Sequence, residues 1–137
     1  MKREDWITGV VDKVDQSYYP KKGSTGVYIP KLTEKLIELN SSKATSIFFI
    51  LASGMNEYSQ FIRPRKDIAK VLGIEYNAGN IGMYIKKLVD LEMVGIIGKT
   101  ITVNPFLVMP TVKMPQLKYA LQEMWIDVVE YGDDNDT

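Results

Sequence analysis

An α+β fold, mainly helical, is predicted by three features of the sequence. Between Arg65 and Asn104 the chain reads as a short helix, a glycine-bearing turn, a second amphipathic helix and two strand-like runs split by Gly98-Lys99. Upstream, the apolar-rich run of Ala44, Ile47, Phe48, Phe49, Ile50 and Leu51 marks a helix buried on several sides. Downstream, Leu117, Leu121, Met124, Trp125 and Val128 recur at helical spacing. Helix, turn, helix and tight hairpin in this order are the signature of a winged helix-turn-helix with a short β-wing, a scaffold that sets one helix in a DNA groove. Residues 1–26 read as an N-terminal strand and loop extension, 27–110 as the winged-helix domain, 111–132 as an added C-terminal helix and 133–137 as an acidic, disordered tail.

Each element has a local cause. Trp6-Ile7-Thr8-Gly9-Val10-Val11 reads as a strand, and Tyr18-Tyr19-Pro20-Lys21-Lys22-Gly23-Ser24 as a loop. Val27-Tyr28-Ile29 reads as a second strand pairing back on the first. Pro30 suits the opening of a helix, where its missing N–H is not needed; Leu32, Leu36 and Leu39 share one face of that helix, which ends near Asn40. Ser41 or Ser42 caps the next helix, 43–54, on which the others pack. Phe61-Ile62-Arg63 is a candidate third strand against the wing. Pro64 opens a helix with Ile68, Ala69 and Leu72 inward, and Gly73 ends it in a left-handed turn. Ile74 is expected to plug that turn into the core. Ile81, Ile85, Leu88 and Val89 form the inner stripe of the next helix, which Gly95 is expected to end. Pro105, Pro110 and Pro115 punctuate an extended connection to the final helix.

Composition narrows the function. There is no cysteine and no histidine, so thiol chemistry, disulfides, the usual general base and the commonest metal ligand are all missing. A catalytic role, a metal or another cofactor is therefore not expected. No apolar run approaches the ~18 residues of a membrane span, and the opening Met1-Lys2-Arg3-Glu4-Asp5 leads into no apolar stretch, so a cytoplasmic protein without membrane partners is expected. Lys plus Arg and Asp plus Glu both total 17. The distribution is uneven: residues 61–103 hold seven basic against four acidic side chains, and 115–137 hold one against six.

A groove-reading helix uses amides and guanidinium groups, which bond two base-edge atoms at once. The helix carrying Ile81 offers Asn77 and Asn80 at its start, with Tyr76, Met83 and Tyr84 beside them. Lys86 and Lys87 lie a turn or two further on, where phosphates are in reach. Arg63, Arg65 and Lys66 begin the preceding helix, where cations oppose the helix dipole by a few tenths of ~1 kcal/mol; a phosphate-holding role accounts for that placement. Lys99 is the one charge at the wing tip. Competing readings exist for each: Asn77 as an N-cap alone, Lys86-Lys87 as a solvated face, Tyr76 and Tyr84 as packing residues, Lys99 as a polar turn residue. With no arginine on this helix, specificity is expected to lean on A·T contacts or on DNA shape.

The stretch from Gly26 to Pro110 resembles the RepL-like plasmid and phage replication-initiation proteins. The carrying residues are Val27-Tyr28-Ile29, Leu36-Ile37-Glu38-Leu39, Ile47 to Met55, Asp67 to Ile74, Ile85-Lys86-Lys87-Leu88, Gly95-Ile96-Ile97 and Val103-Asn104-Pro105. The closing Asn-Pro is the most distinctive of these. The resemblance implies binding to origin or operator DNA, no catalytic activity and recruitment of host replication or transcription proteins. Two departures stand out: the turn from Ile74 to Ile81 is about two residues longer than in the compact motif, and Asn77-Ala78-Gly79-Asn80 replaces the usual Ser or Thr helix start.

Sequence-specific binding of double-stranded DNA in plasmid or phage replication is thus the first expectation. A transcriptional repressor on the same scaffold is the second, and a winged helix serving only protein interaction the third. The stripe of Leu117, Leu121, Trp125 and Val128 reads either as packing on its own domain or as a homodimer interface, which would favour a palindromic site.

Overall fold

The computed structural model describes residues 26–130. In chain order these form β1 (Gly26–Val27), α1 (Ile29–Leu39), α2 (Ser42–Gly54), β2 (Gln60–Phe61), α3 (Lys66–Leu72), α4 (Ala78–Asp90), β3 (Val94–Ile97), β4 (Thr100–Val103), β5 (Val108–Met109) and α5 (Gln116–Trp125), which runs on into a π-helical turn at Ile126–Glu130. The fold is α+β and mainly helical, with small antiparallel sheets. No described helix is long and apolar enough to cross a membrane. The expected strand at 6–11, the loop that follows it and the tail at 133–137 lie outside the described residues.

Helix boundaries follow from local chemistry. Pro30 sits in the first turn of α1, and Asn40 ends that helix with φ 43°, its N–H donating to the Leu36 carbonyl at 3.1 Å. The Ser41 hydroxyl then accepts from the Ala44 N–H at 3.2 Å, starting α2. Gly73, φ 72°, closes α3 while the Ile74 N–H reaches back to the Ala69 carbonyl at 3.1 Å.

The main core is built around α2. Its Ala44, Ile47, Phe48 and Leu51 are fully buried, against Ile68 and Ala69 of α3, Ile81, Ile85 and Leu88 of α4, and Val94, Ile101 and Val103 of the hairpin. Small Ala69 lets α3 approach closely. Burial of each large aliphatic or Phe side chain is worth about 1.5–3 kcal/mol, so this cluster fixes how α3 and α4 sit on α2. The burial is one-sided, contrary to the expectation for α2: Phe49 is 43% exposed.

The three-stranded antiparallel sheet has the order β2-β4-β3, with Phe61 opposite Ile101 and Ile96 also opposite Ile101. The third strand expected from Phe61-Ile62-Arg63 is present as Gln60–Phe61, and Ile62 leaves the sheet as an exposed side chain.

Five expectations are corrected. Ile74 is 40% exposed and does not plug the core. Helix α4 ends at Asp90 rather than at Gly95, and the chain turns through Glu92 in a left-handed conformation, φ 56°. Gly95 lies buried inside β3, where an added Cβ would stand 3.0 Å from Val129 Cγ2 and 3.4 Å from the Trp125 ring. The stretch after Asn104 is not one extended connection: a turn at 105–107 leads into Val108–Met109, which pairs with Gly26–Val27, and residues 104–110 are all buried. Of the expected strand Val27-Tyr28-Ile29 only Val27 is a strand residue, opposite Val108, and Ile29 opens α1. The last correction concerns α5. Leu121 is buried with Tyr28, Met109 and Val112, with Leu117 and Met124 packed alongside. Trp125 is buried with Phe106 and Ile126. Leu121 and Trp125 are therefore covered by their own chain and cannot serve a dimer interface while this packing holds; of the four stripe residues only Val128, at 43%, is exposed.

Candidate nucleic-acid interface

Helix α4 has a sharply divided surface. Ile81, Ile85 and Leu88 are buried on one side. Gly79, Asn80, Met83, Lys86, Lys87 and Asp90 are exposed on the other. The division follows from the 3.6-residue period: Met83 has Gly79 and Asn80 one turn before it and Lys86 and Lys87 one turn after. At the start, Asn77 adopts an extended conformation and its Oδ1 accepts from the Asn80 N–H at 3.0 Å. Asn77 is thus the N-cap, and its carbonyl oxygen already has a donor. Asn80 carries the exposed amide of the first turn.

The basic residues fall into two groups. Lys86 Nζ lies 3.2 Å from Asp90 Oδ2, one turn along the same helix, and Arg63 Nε lies 3.2 Å from Asp67 Oδ2. Such solvent-exposed pairs contribute about 0.3–0.5 kcal/mol, so either cation can exchange its carboxylate for a phosphate at small cost. Arg65, Lys66, Lys70, Lys87 and Lys99 are exposed and form no ion pair among the described residues. Lys87 instead places its Nζ 5.6 Å from the centroid of the Tyr84 ring. Tyr84 is half-buried against the core, so its ring serves packing and cation contact together. Lys99 follows Gly98, φ 66°, at the tip of the β3–β4 hairpin.

The structure brings Asn77, Asn80, Met83, Tyr84, Lys86 and Lys87 onto one helix, and Tyr76, 46% exposed, into the turn just before it. Arg65 and Lys66 open α3. Arg63 has different neighbours: it borders a groove of about 260 Å³ with Phe49, Ile50, Ser53, Gly54 and Val71, between α2 and α3. A second groove, of about 380 Å³, shares Phe49 and Ser53 with the first and is lined by Val27, Met55 and Pro110 among others.

Three residues of this surface escaped the sequence reading. Lys70, on the exposed side of α3, adds to the basic set. Asp90 places an acid on the outer face of α4, a position readable from its spacing of four from Lys86. Ile74, expected inside, adds an exposed apolar side chain next to Tyr76. Comparison with protein-family models, with curated proteins and with solved structures gives no match.

Proposed function

We propose that the chain is a winged helix-turn-helix protein that binds double-stranded DNA with α4 in the major groove, α3 across the flanking backbone and the β3–β4 hairpin as the wing. The observation that carries this reading is the two-sided surface of α4: an inner stripe locked in the core, and an outer face presenting Asn80, Met83, Lys86 and Lys87 to solvent. Rigid support from behind is what a groove-reading helix requires. In this reading Asn80 bonds adenine, Lys86, Lys87, Arg65, Lys66 and Lys70 hold phosphates, and Lys99 reaches the backbone beside the wing. The RepL-like resemblance favours a role in plasmid or phage replication initiation; a transcriptional repressor needs the same contacts.

The test is duplex binding by the full chain at two salt concentrations. Six phosphate contacts give an affinity loss of roughly 10³-fold between about 50 and 200 mM salt. Lys86→Ala with Lys87→Ala should weaken binding to every duplex, whereas Asn80→Ala should mainly relax sequence preference. Affinity indifferent to salt and to the double lysine change would overturn the proposal. A second reading, a protein-interaction module, is favoured by the two grooves flanking exposed Phe49; it predicts that Phe49→Ala abolishes partner capture while no duplex is bound.

A further inference from the structure

We infer that the α4 face reads thymine through its C5-methyl group, with Met83 as the principal contact and Ile74 and Tyr76 flanking it, so that the ligand is a thymine-bearing duplex. This inference rests on the DNA-binding reading above.

Three observations converge. Ile74, Tyr76 and Met83 are 40%, 46% and 48% exposed, all within the turn and first two turns of α4. Their closeness along the chain, at the start of the helix that carries Lys86 and Lys87, sets them beside the basic face. The surrounding charge identifies the ligand. Lys86 and Lys87 follow Met83 by one turn, Arg65, Lys66 and Lys70 lie exposed on α3, and no arginine on α4 stands ready to read guanine. A polyanion carrying apolar groups in its groove fits both features. In the major groove the thymine methyl is the apolar group on offer.

The backbone of α4 supports the same assignment. Gly79 and Gly82 lie within a helix, where glycine costs roughly 1 kcal/mol relative to alanine. Neither has positive φ, and a Cβ at Gly82 would meet nothing within 4 Å. Packing therefore does not demand Gly82. With bare backbone at both positions, Met83 is the tallest side chain of the outer face between Asn80 and Lys86. A flexible thioether there can follow the uneven floor of the groove, while the Asn80 amide takes an adjacent adenine.

The experiment uses the full chain and the duplex it enriches from a random-sequence library. That duplex is resynthesised with deoxyuridine in place of thymine, which removes the methyl groups and leaves every hydrogen-bonding group unchanged. Affinity should fall about fourfold for each contacted methyl, the factor expected for one buried carbon. Met83→Ala should bring the ratio between the two duplexes toward one without altering the salt dependence, and Met83→Leu should keep the ratio. Equal affinity for both duplexes with salt-sensitive binding retained, or enrichment of sites made only of G·C pairs, overturns thymine reading and leaves DNA binding standing. Absence of salt-sensitive binding to any duplex overturns both.

Discussion

Across a separation of twelve residues, the side-chain amide of Asn104 donates to the main-chain carbonyl of Glu92 at 2.7 Å. The same side chain accepts from the Phe106 N–H at 2.8 Å, and the Asn104 N–H donates to the Met93 carbonyl at 3.0 Å. Its own carbonyl accepts from Leu107 and Val108. A single asparagine, 6% exposed, thus joins the turn that follows α4 to the turn that follows β4. The Asn-Pro pair is a brace: it fixes where α4 ends relative to the hairpin, and so fixes how the outer face of α4 is aimed. It makes no claim on DNA.

Asn104→Ala should therefore destabilise the fold without touching a group of the proposed DNA face. It removes the partner of the exposed Glu92 carbonyl and of the buried Phe106 N–H, and a lost bond at a buried group costs about 1–3 kcal/mol. We expect a loss of about 2–3 kcal/mol in urea denaturation, the Glu92 carbonyl regaining water. Asn104→Asp keeps the acceptor for Phe106 but sets a carboxylate against the Glu92 carbonyl, so it should not rescue. A change within error for Asn104→Ala would remove the brace.

Two neighbouring residues should respond with opposite signs. Gly95→Ala drives a methyl group to 3.0 Å from Val129 Cγ2 and against the Trp125 ring, and overpacking of this kind costs about 1–3 kcal/mol. Glu92→Gly relieves the left-handed strain at φ 56°, worth about 1–2 kcal/mol, while glycine adds about 0.5–1 kcal/mol of unfolded-state entropy. A net gain of roughly 0.5 kcal/mol is expected, visible as a small rise in Tm. Should Glu92→Gly lower Tm, the residue is held there by a contact rather than strained.

Gly95 also shows where the sequence misleads. A glycine a few residues past a helical stripe has the pattern of a helix stop, and Gly73 behaves that way. At α4 the stop is made by Leu91 and a non-glycine, Glu92, because the Asn104 brace compels the turn. Tertiary force of that kind leaves no local trace. The β1–β5 pairing was equally hidden: two-residue strands carry no periodicity, and Val27 and Val108 meet only because the whole domain lies between them. What was legible had short-range causes: the Ser41 and Asn77 caps, the Gly73 and Gly98 turns and the inner stripe of α4. The candidate site was legible for the same reason, since the side of α4 opposite a strong apolar stripe must face outward. Ile74 was misplaced because an apolar residue after a helix end reads as a plug.

Trp125 gives a test of the C-terminal helix. It is fully buried under Gly95 and beside Phe106, so Trp125→Ala opens a large cavity and should cost about 3–5 kcal/mol. Because its contacts belong to its own chain, the urea midpoint of the wild-type protein should not shift over a tenfold range of protein concentration. A midpoint that rises with concentration, with a dimer mass by light scattering, would return α5 to an interface.

Asp90 yields the sharpest prediction for the proposed DNA face. Its carboxylate, exposed 3.2 Å from Lys86 Nζ, both occupies that cation and presents negative charge on the side of α4 proposed to meet phosphates. Asp90→Asn removes the charge and keeps the size. The lost i,i+4 pair costs at most about 0.5 kcal/mol of stability, so folding should be nearly unchanged. Lys86 then meets phosphate without giving up a carboxylate, and the repulsion between Asp90 and the DNA backbone is removed. Duplex affinity at low salt should rise severalfold, and the gain should vanish in an Asp90→Asn, Lys86→Ala double variant. If Asp90→Asn leaves affinity unchanged, the outer face of α4 past Met83 does not approach the DNA backbone.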